Sequence, residues 1–232
     1  MSTSPYHGFR FPKAIIQHAI WLYLRFTLSL RDVEKLLAER GIVVTYETVR
    51  VWVGRFRPLI AGRLRRRRGR PSNIWHLDEM LVKIAGRTMY LWRAVDSEGE
   101  VLDMLVQRRR DKRAALRLMR KLLKKRCMAP EELVTDRLRA YGAAARELGL
   151  SAGHIQGKRK NNRAESSHVP IRRRERKMQG FRAPGSAQRF LAAHAAVANA
   201  FSTCSHLTSA ATHCQFRSEA FAAWREATEL AA

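Results

Sequence analysis

Acidic side chains are scarce in this 232-residue chain, 20 Asp and Glu against 45 Lys and Arg, so a carboxylate inside an apolar run calls for an explanation. Asp78 lies within WHLDEMLVKI, and Asp136 ends the apolar run in ELVTDR. One such acid would ordinarily pair with an arginine or cap a turn. Two on neighbouring strands suggest a shared task, and a third carboxylate, Glu165 in KNNRAESSH, falls in the first turns of the helix that follows. Glu165 has a plainer reading too, as a negative charge favoured at a helix N-terminus. Together the three acids suit phosphodiester chemistry. Hard cations such as Mg2+ or Mn2+ take carboxylate oxygens, and two ions roughly 3.5–4 Å apart activate the attacking oxygen and stabilise the leaving one during in-line displacement.

Other polar residues are weighed against that site. Glu79 follows Asp78 directly, so on a regular strand it points to the opposite face and is excluded from the cluster. Asp96, Glu98, Glu100 and Asp103 crowd a hairpin, where acids are ordinary solvated turn formers. His168, three positions after Glu165, shares its helix face and could contact the scissile phosphate, orient a ligand, or stand as a plain polar surface residue. Cys204, His206, His213 and Cys214 invite a zinc reading, but their spacing matches no usual pair of ligand knuckles. Three cysteines build no disulfide framework and fit a reducing compartment.

The elements that must carry these residues follow from periodicity. Helical spacing marks Ile15 to Phe26, then a helix opened by a Ser29–Asp32 capping box and closed by Gly41, then a third capped by Thr45 and running to about Phe56. Three short helices in about fifty residues suggest a helix-turn-helix whose third helix would enter the major groove. Tyr46, Thr48 and Arg50 would then read base edges, with Arg55 nearby. An ordinary three-helix bundle shows the same pattern. After a basic run, RLRRRRGR, that includes Arg65, Arg66, Arg67 and Arg68, the period turns strand-like over Ile74–Ile84, Met89–Val95 and Val101–Val106. A helix over Lys112–Arg126, a strand at Leu133–Asp136, a helix from Tyr141, a strand at Gly153–Gln156 and a long helix from Asn162 to Lys177 complete the order βββαβαβα, with Pro170 expected to kink or break the last.

The resulting fold class is α/β: a mixed sheet flanked by helices over residues 73–202, preceded by a small all-α helix-turn-helix domain over 1–62, a basic linker at 63–72, and a helical tail at 203–232. A formal net charge of +25 points to a polyanionic partner. Arg dominates the basic residues and suits phosphate and guanine edges, so double-stranded DNA is favoured over a membrane. Lys158, Lys160, Arg163, Arg172 and Arg173 flank the acids and would hold phosphates. No apolar run approaches the roughly 20 residues needed to span a bilayer, and Ala14–Leu24 lacks a signal-peptide cleavage site. A cytoplasmic, nucleoid-associated protein is expected.

WHLDEMLVKI, YLWRAVDSEGEVLD, RRDKRAA, VTDRLRAYGAA, NNRAESSH and RRRERKMQGFRAPGSAQRF, in this order over nearly the whole chain, resemble transposases of the bacterial insertion sequence 6 family. The resemblance implies an N-terminal helix-turn-helix and an RNase H-like catalytic domain with an Asp, Asp, Glu metal triad, which maps onto Asp78, Asp136 and Glu165. It also implies two divalent ions, recognition of terminal inverted repeats, replicative transposition with cointegrate formation, and a homo-oligomer, at least a dimer, bridging two ends. Asp136 and Glu165 are 29 positions apart, a little less than in the best-known members, a difference that a short strand and a tight turn would absorb. A DNA-binding regulator with a degenerate catalytic fold and a metal-dependent nuclease without strand transfer are the competing readings.

Overall fold

The computed structural model describes residues 4–67, 69–157, 159–202 and 209–229, which fall into two compact units divided near residue 68 and again near residue 192. The second unit is built on a five-stranded sheet. Its strands are β1 (Ile74–Ile84), β2 (Arg87–Asp96), β3 (Val101–Gln107), β4 (Glu132–Thr135) and β5 (Gly153–Gln156), in spatial order β3-β2-β1-β4-β5. β1, β2 and β3 form an antiparallel meander, because Ala85 and Gly86, both at positive φ (50° and 75°), close the tight β1–β2 turn. β4 and β5 join in parallel, which requires crossovers. Helices α4 (Lys112–Arg126) and α5 (Arg139–Glu147) supply them.

Alternation along the strands divides the two faces. Trp75 and Leu77 of β1 and Trp92 and Ala94 of β2 point toward α4 and α5, into a core with Leu118, Met119, Leu122, Leu133 and Tyr141. His76, Asp78 and Met80 point the other way, toward helix α6 (Asn162–Lys177). A mixed sheet of this order with helices on both faces is the expected RNase H-like arrangement. α6 continues through Pro170 without breaking. The carbonyl that proline deprives of a helical partner belongs to exposed Ser166, where water can satisfy it. Asp96 and Asp103 are not solvated as expected. Asp96 is 2% exposed and caps the turn, accepting hydrogen bonds from the Glu98 and Glu100 amides, while buried Asp103 pairs with Lys121 and Lys125 at 2.9 and 3.0 Å. The charge pairs hold Asp103's carboxyl low against the burial that opposes them.

The first unit gathers helices α1 (Lys13–Arg25), α2 (Leu30–Ala38), α3 (Tyr46–Arg67) and, beyond α7 (Pro184–Ala200), the last helix α8 (Ala210–Thr228). Ile16, Ile20 and Leu24 of α1, Val33 and Leu37 of α2, and Val49, Trp52 and Phe56 of α3 are buried here. α3 outruns the expected end at Phe56. Ile60, Ala61 and Leu64 continue its buried stripe, so most of the basic run read as a linker is helical. Arg63 donates to the Glu229 carbonyl at 2.8 Å and Arg67 pairs with Glu226, which ties the C-terminal segment, read as a tail, to α3. Cys204 and His206 lie outside the described residues.

The Ser29 capping box is present in full: Asp32 N donates to Ser29 Oγ at 3.1 Å, and Ser29 N donates to Asp32 Oδ2 at 2.8 Å. Ser29→Ala is therefore expected to destabilise the helical unit by about 1 kcal/mol. Chemical denaturation followed through tryptophan fluorescence would measure it, and an unchanged midpoint would show that the cap carries no net energy.

Candidate metal centre

The short fourth strand creates the site. Leu77 pairs with Thr135 at the last rung of the β1–β4 parallel ladder, so Asp78 and Asp136 follow side by side just past its end. Thr135 Oγ1 donates to the Asp136 carbonyl at 2.8 Å, and the Leu138 amide donates to Asp136 Oδ1 at 2.9 Å, which fixes the carboxylate at the start of α5. Glu165 comes from the first turn of α6. The turn preceding α6 is fastened to β1 by Asn161, a buried residue whose amide donates to the Leu77 carbonyl at 2.8 Å. Its Oδ1 has no hydrogen-bond partner, and burial lowers the pKa of the nearby His76 imidazole, a drop that Asn161 only partly opposes. The three sequence-identified acids, with Arg137 and Asn161, line one open cavity of about 250 Å3, room enough for a phosphate group and cations.

The electrostatics are strained in the direction a cation would relieve. Burial raises the Asp78 carboxyl from its ordinary 3.8 to about 7, and the charges of Glu79, Asp136 and Glu165 add to the rise. His168 approaches from α6 with Nδ1 3.6 Å from Asp78 Oδ2. It is not a surface residue but 4% exposed, and burial, reinforced by Arg93 and Arg172, lowers it to about 3, so a neutral imidazole faces Asp78.

Glu79 overturns its expected exclusion. Carboxylate oxygens of Asp78, Glu79 and Asp136 gather within 4.8 Å of one another. Alternation does send Glu79 to the face opposite Asp78. β4 stops at Thr135, however, so on that side of residue 79 no strand separates the two faces, and the long side chain reaches past that end toward Asp136. Its carboxylate is 2% exposed; Tyr141 Oη donates to Oε2 at 2.7 Å and Arg110 Nε to Oε1 at 2.5 Å. Arg110 Nη2 also reaches Asp136 Oδ2 at 3.3 Å. Sequence reasoning missed Arg110, Arg137, Tyr141 and Asn161; only the position of Arg137 beside Asp136 could have marked any of them.

The proposed DNA-contacting residues divide between the units. In the second, Lys160, Arg163, Arg172 and Arg173 are exposed around the start and middle of α6. In the first, Arg50, Arg55, Arg65 and Arg66 are exposed on α3, Thr48 bonds to capping Thr45 at 3.0 Å, and Tyr46 lies under the Arg31 guanidinium at 5.2 Å. Arg50 is paired with Glu47 at 2.6 Å. Arg68 and Lys158 lie outside the described residues. No helix among the described residues is long and apolar enough to cross a membrane.

Carboxylate oxygens converging from separate elements are the donor set that hard divalent cations prefer, and the unbalanced negative charge at Asp78 fits such an ion. Residues 72–204 match a family described as the DDE domain. The chain is 31% identical over 175 residues to the transposase for insertion sequence-like element IS431mec of Staphylococcus aureus strain N315, covering 73% of this chain and 78% of that protein. It is 30% identical, with the same coverage, to the Staphylococcus aureus transposase for insertion sequence element IS257 in transposon Tn4003. Among solved structures, the catalytic core domain of BIV integrase is similar with a TM-score of 0.40 and 16% identity, covering 55% of this chain and 82% of that one. A simian T-cell lymphotropic virus intasome in complex with PP2A regulatory subunit B56 gamma gives 0.46 and 16%, covering 62% and 54%. The DDE domain spans more than half of the chain and the Staphylococcus relatives align with most of it, so the chain belongs to the DDE transposases of the bacterial insertion sequence 6 family.

Proposed function

We propose that this transposase binds the terminal inverted repeats of its own insertion sequence, cleaves a strand at the transposon end and joins the exposed 3′ hydroxyl to target DNA. Asp78, Asp136 and Glu165 are the residues that would hold two divalent ions, Mg2+ in the first instance. The observation that carries this reading is the convergence of these three carboxylates, from β1, the end of β4 and α6, on one cavity. When bound, such ions lower the pKa of an attacking water or hydroxyl and neutralise the leaving oxyanion.

The chain's own groups supply the rest. Arg137 lines the cavity and is placed to take a non-bridging phosphate oxygen. Neutral His168 buttresses Asp78 from behind. Exposed Lys160, Arg163, Arg172 and Arg173 would hold the duplex backbone without reading its sequence. Tyr46, Thr48, Arg50 and Arg55 at the start of α3 would read the terminal repeat in the major groove, with Arg65 and Arg66 on phosphates. Joining two ends to one target calls for at least two protomers.

The test is strand cleavage and joining on labelled duplex carrying the element's own end, with and without Mg2+. The expected result is metal-dependent joined product. Cleavage without joining would identify a nuclease, and end-specific binding without metal-dependent chemistry would identify a regulator.

A further inference from the structure

Glu79 and Arg110 form an ion pair that the metal-holding role of the three acids does not use. A carboxylate only 2% exposed must have both oxygens satisfied, and Glu79 has: Tyr141 Oη holds one at 2.7 Å and Arg110 Nε the other at 2.5 Å. Arg110 lies in the segment leading into α4, its side chain 44% exposed, and its second contact, Nη2 to Asp136 Oδ2, is longer at 3.3 Å. The guanidinium is thus fastened tightly to Glu79 and loosely to Asp136. Were the Glu79 charge absent, Asp136 would become the sole carboxylate among these contacts, and the guanidinium would close on it.

We propose that Arg110 is a tethered counter-charge at the metal centre, anchored by Glu79 so that it steadies Asp136 yet is held back from closing on the carboxylate and shutting the cation out. Both are positioning residues: Arg110 partly neutralises the cluster before metal arrives, and Glu79 sets how far the guanidinium can advance. The inference rests on the metal-holding reading of Asp78 and Asp136.

A double-mutant cycle on the full chain, without DNA, tests it by calorimetric titration with Mn2+. Glu79→Gln keeps the Tyr141 hydrogen bond and is expected to weaken Mn2+ binding about tenfold, while Arg110→Gln, which removes a cation beside the site, tightens it several-fold. With Arg110 already replaced, Glu79→Gln should cost under about threefold, since the cation it restrains is gone. Equal losses from Glu79→Gln with and without Arg110 would overturn the tether and make Glu79 a ligand or a simple through-space charge. Should Glu79→Gln fail to fold, Arg110→Gln alone decides: unchanged Mn2+ affinity overturns the proposal. Asp78→Asn separates the two layers. If it leaves Mn2+ binding intact, the metal reading fails and the tether falls with it; if it abolishes binding while the cycle is additive, the tether alone fails.

Discussion

Asp136→Asn and Glu165→Gln, like Asp78→Asn, are each expected to lower Mg2+-dependent strand cleavage and joining by about three orders of magnitude or more, because a metal ion contributes several kcal/mol to the stabilisation of transition-state charge. Each amide nearly matches the shape of the acid it replaces. In Asp136→Asn the side-chain carbonyl would still accept the Leu138 amide hydrogen bond, which Asp136 now receives at 2.9 Å, so the start of α5 should hold. The basic surfaces are untouched, and DNA binding should persist. Asp78→Asn carries a second signature. Burial and the neighbouring carboxylates raise its carboxyl to about 7, so at pH 8 the ionised form is a cost to the metal-free fold. Removing that charge should raise the metal-free stability by on the order of 1–3 kcal/mol, allowing for solvent at the cavity mouth. Activity lost together with a higher melting temperature cannot arise from unfolding. A gel assay of labelled ends paired with thermal melts reads both, and substantial joining by any of the three variants would remove that acid from the metal site.

The acids were legible because apolar strands make charges conspicuous. Asp78 within WHLDEMLVKI and Asp136 at the end of ELVT stand out from composition alone, and the parallel ladder ending at Leu77 and Thr135 explains why they meet. Glu79 was misread for a definable reason. Strand alternation fixes the direction of a Cα–Cβ bond, not the terminus of a long side chain, and it bars passage between faces only where a neighbouring strand is present. Beyond Thr135 there is none. Arg110 was invisible among 45 basic residues, since nothing local marks the one that pairs with a carboxylate 31 positions earlier. Asp96 and Asp103 show the same limit: a hairpin turn predicts acids at the surface, whereas here amides and two α4 lysines make burial tolerable.

In the helical unit, starts were clearer than ends. The Ser29 box and the Thr45 cap are local hydrogen-bond patterns, readable within four residues. The end of α3 depends instead on what Ile60, Ala61 and Leu64 bury against and on Arg63 and Arg67 finding partners more than 150 residues away. Periodicity does not carry that information. Pro170 is the complementary case: the motif reads as a break, but the carbonyl it frees belongs to exposed Ser166, and the helix runs on.

Divalent-metal affinity should depend steeply on pH below neutrality. Asp78, with its folded pKa raised from 3.8 to about 7, keeps a proton that the unfolded chain has released. Its contribution to stability is therefore full below pH 4 and lost as pH rises through 7. His168, lowered from 6.5 to about 3, does the reverse: its contribution is present above pH 6.5 and lost as pH falls toward 3. Their slopes oppose one another between about pH 4 and 6.5, so these two groups leave the stability of the metal-free protein nearly level there. Metal breaks the balance, because binding at Asp78 must displace its proton whereas His168 is already neutral. Apparent affinity should fall by about tenfold per pH unit well below 7, roughly 50-fold between pH 7 and pH 5, and level off above about pH 8. Mn2+ titrations at pH 5, 6, 7 and 8 measure this directly. A flat profile would mean that the proton on Asp78 and the cation do not compete, and Asp78 would then not be a ligand.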